Sequence, residues 1–176
     1  MARRYARAFL DALAPERRAR ADDNLAAAAA VLTEPPVGPL FLHPGIAPEE
    51  KTAAMDRVFA DEPDIAHMVG VLIAHRRERL LPQVSAEFHR ERLAAEGRVL
   101  ATVRTARPLD PAWRDRVVAV LARVTGREVE AGFAVAPELL GGIEVRVGDR
   151  LWDGSVRGRL SRLARQLKDE VRPGAS

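Results

Sequence analysis

Up to Glu96 the apolar residues of this chain recur at helical spacing, and from Arg98 they begin to alternate one by one. The two periods belong to different secondary structures, about 3.6 residues for a helix and two for a strand. Gly97 stands at the change, where a helix can end without a Cβ penalty. The pattern therefore predicts an α plus α/β chain with two domains. Residues 1–96 form a six-helix bundle, and residues 97–176 form a small mixed α/β domain. A length of 176 residues suits two small domains as readily as one large one.

In the first part, Ala2 to Leu13 reads as a helix with an oversized apolar surface. Tyr5, Ala6, Ala8, Phe9, Leu10, Ala12 and Leu13 cover about 200° of arc at roughly 100° per residue. A helix packed on one side of a core needs about half that width. The excess is either core on two sides or a partner site. Pro15 starts a second helix, alanine-rich from Leu25 to Leu32. Glu34-Pro35-Pro36 and Gly38-Pro39 break the chain, leaving Leu40-Phe41-Leu42 as a short apolar plug. Pro48 opens a further helix with Met55, Val58 and Phe59 inward.

The helix from Asp64 to His75 has two faces. Ile65, Met68, Val69, Leu72 and Ile73 form a core stripe, while His67, Gly70, Val71 and Ala74 make an opposite side that is small or apolar where charge is usual. That smooth face either meets a neighbouring helix or forms a groove for an amphipathic helix of another chain. Arg76 to Arg79 reads as a solvated turn, and Pro82 to Glu96 as the last helix, with Val84 and Phe88 inward.

In the second part, Arg98 to Ala106 and Glu128 to Val135 alternate as strands. Between them Asp110-Pro111 is a helix start, with Trp113, Val117, Leu121 and Val124 as the apolar stripe and Gly126 as the stop. Gly141-Gly142 precedes an alternating strand, Ile143 to Val147, closed by the turn pair Gly148-Asp149. Leu151-Trp152 returns to apolar residues. Asp153-Gly154-Ser155 then caps a helix whose stripe is Val156, Leu160, Leu163, Ala164, Leu167 and Val171. Arg157, Arg159, Arg162, Arg165 and Lys168 fill its other side. Pro173 to Ser176 reads as a frayed end.

Charge and composition narrow the function. Residues 1–96 hold 13 basic and 15 acidic side chains, residues 97–176 hold 15 and 10. A basic second half raises nucleic acid or an acidic protein surface as partner. The Arg-rich last helix lacks the aromatic and base-reading groups that nucleic-acid binders add, which favours a solvated face or an acidic protein. No run of eighteen apolar residues is present, so no membrane insertion is expected. With no cysteine the chain has no disulfide or thiolate site, which suits a reducing compartment. His43, His67, His75 and His89 lack metal spacing, and no phosphate loop or nucleophile elbow is present. Asp149 and Asp153 read as turn and cap residues rather than an acid/base pair. The sequence thus offers no catalytic, cofactor or metal site.

The run Gly141-Gly142, Val147-Gly148-Asp149, Asp153-Gly154-Ser155-Val156-Arg157 and Leu160 resembles the C-terminal signature of the ATP synthase delta subunit family, the oligomycin-sensitivity-conferring protein in mitochondria. Near the start, Tyr5-Ala6, Ala8 and Phe9 resemble the family's first helix, and Arg77, Leu81-Pro82 and Phe88 its fifth-to-sixth helix connection. Glu78, Ala136 and Trp152 depart from its usual residues. The resemblance implies a non-catalytic stator subunit of a proton-translocating ATP synthase, peripheral on the cytoplasmic side of a bacterial inner membrane. It implies that the N-terminal helix of an alpha subunit enters a groove between the first and fifth helices. Tyr5, Ala8, Phe9 and Ala12 would form one wall, His67, Gly70, Val71 and Ala74 the other. It further implies that the second domain meets the C-terminal region of the b-subunit stalk, with the signature holding that domain together. A two-domain basic adapter that binds nucleic acid through its last helix is the alternative.

Overall fold

The computed structural model describes residues 1–170, with side chains through residue 166; Val171 and Pro173 to Ser176 lie outside the described residues, as do the side chains of Leu167 and Lys168. The fold mixes helices with a four-stranded sheet, and it divides into two compact units, Met1–Ala95 and Glu96–Ser176.

The first unit contains α1 (Ala2–Ala12), α2 (Arg18–Val31), α3 (Val37–Phe41), α4 (Pro48–Val58), α5 (Pro63–Ala74) and α6 (Leu81–Ala95). Its core gathers Ala6, Phe9 and Leu10 of α1, Leu25 of α2, Ile65, Val69, Leu72 and Ile73 of α5, and Leu81, Val84 and Phe88 of α6. Burying a side chain of this size contributes about 1.5–3 kcal/mol. A polar cluster pins α2 to α6: the Asp22 carboxylate meets His89 Nδ1 at 2.6 Å and accepts from Arg92 Nε at 2.8 Å. Elsewhere in the unit, α4 is fastened by Lys51. Its side chain is 5% exposed, its ammonium donates to Glu78 at 2.7 Å, and it lies 5.8 Å from the centre of the Phe41 ring.

Several sequence expectations fail here for packing reasons. Gly38 and Pro39 do not break the chain but sit inside α3. A Cβ on Gly38 would overlap the Leu32 carbonyl, so glycine lets the short helix fold back onto the end of α2. Val58 is 66% exposed, because α4 ends as its outer side turns to solvent. Arg76 to Arg79 is not a solvated turn, since Arg77 and Glu78 are half-buried and bonded to other elements.

The second unit runs β1 (Arg98–Thr105), α7 (Pro111–Thr125), β2 (Glu128–Val135), β3 (Ile143–Val147), β4 (Arg150–Asp153) and α8 (Val156–Glu170). The sheet order is β2-β1-β3-β4, with β1 and β2 parallel and the other pairs antiparallel. Register places Ala101 between Ala131 and Val147, and Val103 between Phe133 and Val145, on one apolar face. Val117, Val118, Leu121 and Ala122 of α7 pack on it. The opposite face is polar, with Arg104 of β1 donating to Glu144 of β3 at 2.9 Å. Asp110 caps α7 by accepting from the Trp113 amide at 2.8 Å, worth about 1 kcal/mol.

The inward stripe of α7 is shifted from the expected one: Trp113 is 54% exposed and Val124 is also exposed. β4 is a further strand that sequence alone treats only as an apolar return. It pairs through a two-residue loop, Gly148-Asp149, with Gly148 at φ +56, the geometry of a tight hairpin with glycine first.

Candidate functional site: a helix groove and a stapled last helix

The first surface lies between α1 and α5. Arg77, just past the end of α5, donates from Nη1 to the Tyr5 hydroxyl near the start of α1, at 2.7 Å. At the other end Arg17, just past α1, pairs at 2.6 Å with Asp64 in the first turn of α5, and Arg20 pairs with Glu62. The start of α1 is thus tied to the segment just past α5, and the start of α5 to the 3-10 turn (Pro15–Arg17) and α2 that follow α1. A cavity of ≈ 260 Å³ opens at the Tyr5 end, lined by Met1, Arg4, Tyr5, Ala8 and Arg77.

Most of the expected wall residues fall on the outer surface. Ala8, Ala12, His67 and Ala74 are exposed, and Tyr5 and Val71 are half-buried. Two do not. Phe9 points into the core, its ring centre 5.2 Å from that of Phe88. Gly70 looks toward α4, where an added Cβ would make an ordinary contact with the Thr52 methyl. Helical periodicity places both near the correct face but cannot say which flank a neighbour covers.

Arg77, which the family resemblance places only in the connection after the fifth helix, makes a contact with Tyr5 that sequence reasoning missed. After α5, Arg76 takes a left-handed φ of +52, its amide bonds to the Ile73 carbonyl at 2.8 Å, and the Arg77 amide returns to Leu72 at 2.7 Å. This is a Schellman stop with arginine where glycine is usual, and it aims Arg77 back across the groove. A glycine in that place would have been a sequence signal; an arginine gives none. Next to it, burial is the largest single influence on the Glu78 carboxyl and works against its charge, but the Lys51 hydrogen bond, a backbone hydrogen bond and the charges of Lys51 and Arg76 together hold it below its usual range.

In the second unit most of the signature residues fall into two groups. Gly141, Gly142, Asp153, Gly154 and Ser155 form a knot between β3, β4 and α8. Gly142 has φ +77, and a Cβ there would overlap the Gly154 carbonyl. The Gly154 amide donates to Ile143 at 2.9 Å and the Val156 amide to Gly141 at 3.0 Å. Ser155, 1% exposed, accepts from the Gly158 amide at 2.9 Å and donates its hydroxyl to Asp153 at 2.6 Å. That hydroxyl, then the Ser155 amide, holds the Asp153 carboxyl below the ordinary carboxylate range. Gly158 also belongs to the knot, because a Cβ would collide with the Asp153 carboxylate. Val147 is buried in the sheet and Asp149 lies exposed in the hairpin loop.

Val156, Arg157 and Leu160 form the other group. The sequence assigns them to holding the domain together, but they are exposed, with Leu160 at 53% and Leu163 at 52%. Among the described residues, the apolar stripe of α8 is left bare between arginines. A second bare apolar region surrounds a cavity of ≈ 610 Å³ lined by Pro108, Leu109, Trp113, Leu140 and Gly141. Gly141 lies in turn beside the Val156 side chain, so the two regions adjoin. Among the described residues no group of three His, Asp or Glu could hold a metal ion, and no helix is long and apolar enough to cross a membrane.

The fold is thus two small units, each exposing small or apolar helix residues beside arginine, features of a binding subunit. Comparison with known proteins gives the family. The sequence model described as ATP synthase delta (OSCP) subunit matches residues 1–167, and the chain belongs to that family. It is 32% identical to the ATP synthase subunit delta of Desulforamulus reducens over 176 residues, covering 97% of each chain. It is 37% identical to that of Azotobacter vinelandii over 146 residues, covering 82% of each. A chain in the cryo-EM structure of the Toxoplasma gondii mitochondrial ATP synthase hexamer shares the fold, with a TM-score of 0.77 at 18% identity and 99% of both chains covered. The protein is thus a non-catalytic stator component of ATP synthase, whose partners are other subunits of that complex.

Proposed function

We propose that this chain ties the top of the catalytic head of ATP synthase to its peripheral stalk, so that the head does not turn with the rotor. The first unit, a six-helix bundle, receives the N-terminal helix of an alpha subunit between α1 and α5. The second unit binds the C-terminal region of the b-subunit stalk. The assembly stands on the cytoplasmic side of the membrane.

The observation that carries this reading is that α1 and α5 expose small or apolar side chains, with the end of α5 tied to the start of α1 through Arg77 and Tyr5. A helix laid there gains apolar burial without displacing any residue of the core. For the stalk, the bare stripe Val156, Leu160 and Leu163 offers a helix seam, and the arginines beside it favour an acidic partner. That stripe argues against the nucleic-acid alternative, since phosphate contacts would leave it uncovered.

Calorimetric titration of the full chain with a peptide of the alpha subunit's N-terminal helix tests the head contact. One-to-one binding that Val71→Asp weakens supports the groove. An absence of peptide binding, together with salt-sensitive binding to nucleic acid, would reject the stator assignment of these surfaces.

A further inference from the structure

The Tyr5 end of the proposed docking surface on α1 and α5 has a chemistry of its own. Arg77 is placed there by backbone geometry rather than by chance: the left-handed Arg76 and the amide return to Leu72 fix where its side chain starts. The Tyr5 hydroxyl then holds Nη1 at 2.7 Å, and the guanidinium lies 5.9 Å from the centre of the Tyr5 ring. A guanidinium carries five N–H donors, and this contact uses one. Arg4 lines the same cavity, as does Met1, and no acidic side chain does. A positive, half-buried, pre-positioned fork at the end of an apolar groove is an unmatched charge that a partner can complete.

We propose that Arg77, oriented by Tyr5 and joined by Arg4, anchors a carboxylate of the docked helix. The groove therefore selects a helix that pairs an apolar stripe with an acidic side chain at this end. The inference rests on the head contact above and adds the residue that fixes the register of the helix in the groove. Apolar burial alone is indifferent to sliding by one turn, whereas a bidentate carboxylate contact is not.

A double-mutant cycle tests it by calorimetry on the full chain. The two proteins are wild type and Arg77→Gln; the two peptides are the alpha subunit's N-terminal helix and the version with its acidic residues changed to amides. Each single change is expected to weaken binding about tenfold, and the two together little more than either alone. Losses that multiply, or an Arg77→Gln protein that binds both peptides as wild type does, overturn the anchor and leave the groove assignment standing. Failure of wild type to bind either peptide removes the groove assignment itself, and self-association in its place would give the groove to a second copy; either result overturns the anchor too. Tyr5→Phe keeps the ring and releases the guanidinium, so it is expected to lower the coupling while helicity stays unchanged. Unaltered coupling in that variant would refute the orienting role of Tyr5.

Discussion

Two glycines of the second unit, Gly126 and Gly142, share a left-handed backbone but not a neighbourhood, and alanine at each separates strain from close approach. Gly126 has φ +66 with nothing within 4 Å of an added Cβ, while Gly142 has φ +77 and faces the Gly154 carbonyl and the Ser155 Cα. Alanine at Gly126 is expected to cost only the left-handed penalty, about 1 kcal/mol. Alanine at Gly142 carries the same penalty and must also push the Gly154-Ser155 backbone away. That movement breaks the Gly154–Ile143 and Val156–Gly141 bonds, about 1 kcal/mol each, and disturbs the Ser155 cap, about 1 kcal/mol more. The expected total is about 3–4 kcal/mol. For a unit of this size each kcal/mol lowers the melting temperature by about 4–8 °C. Both tryptophans, Trp113 and Trp152, lie in this unit, so thermal unfolding followed by tryptophan fluorescence reads it selectively. Equal shifts for Gly126→Ala and Gly142→Ala would refute the claim that the glycine pair is needed for contact with the start of α8.

Three further outcomes follow from the same geometry. Arg76→Gly relieves a left-handed arginine and is expected to stabilise the first unit by roughly 0.5–1 kcal/mol, read by circular dichroism on heating; a lower melting temperature would contradict it. Val71→Asp is expected to weaken alpha-peptide binding at least tenfold with helicity intact, whereas Phe9→Ala costs about 3–5 kcal/mol of stability; the reverse order would move Val71 into the core and Phe9 to the surface. The Asp153 carboxyl is depressed when folded, so its stabilising effect is complete above the ordinary unfolded value of about 3.9 and fades as pH falls through the lower folded value. Asp153→Asn is expected to flatten the acid limb of the second unit's stability, and an unchanged limb would assign the pH dependence to another group.

The sequence reveals the change of period at Gly97, the Asp110 cap and the core stripe of α5, because each is a local choice repeated over several residues. β4 escapes notice because four residues at a sheet edge leave too short a pattern, and Trp152, on the face that carries Val145, is still exposed there. In α7 the apolar arc is wide enough for either Trp113 and Val124 or Val118 and Ala122 to turn inward, and only the position of the sheet decides. The exposed faces of α1 and α5 are legible as surfaces that carry little charge. The placement of the Arg77 side chain is not, because it depends on Arg76 adopting a backbone conformation that sequence patterns reserve for glycine.

The pairing of Lys51 with Glu78 has a use at the bench. Of the 28 basic residues only Lys51 and Lys168 are lysines, so amine-selective reagents have almost nothing to modify beyond the chain's own amino terminus. Lys51 is held between Phe41 and Glu78 with its side chain 5% exposed, so acylation there is expected to await an opening around α4. The rate at which Lys51 takes up such a label is therefore a built-in clock for the opening of the first unit, readable by mass spectrometry in the intact complex without any engineered probe.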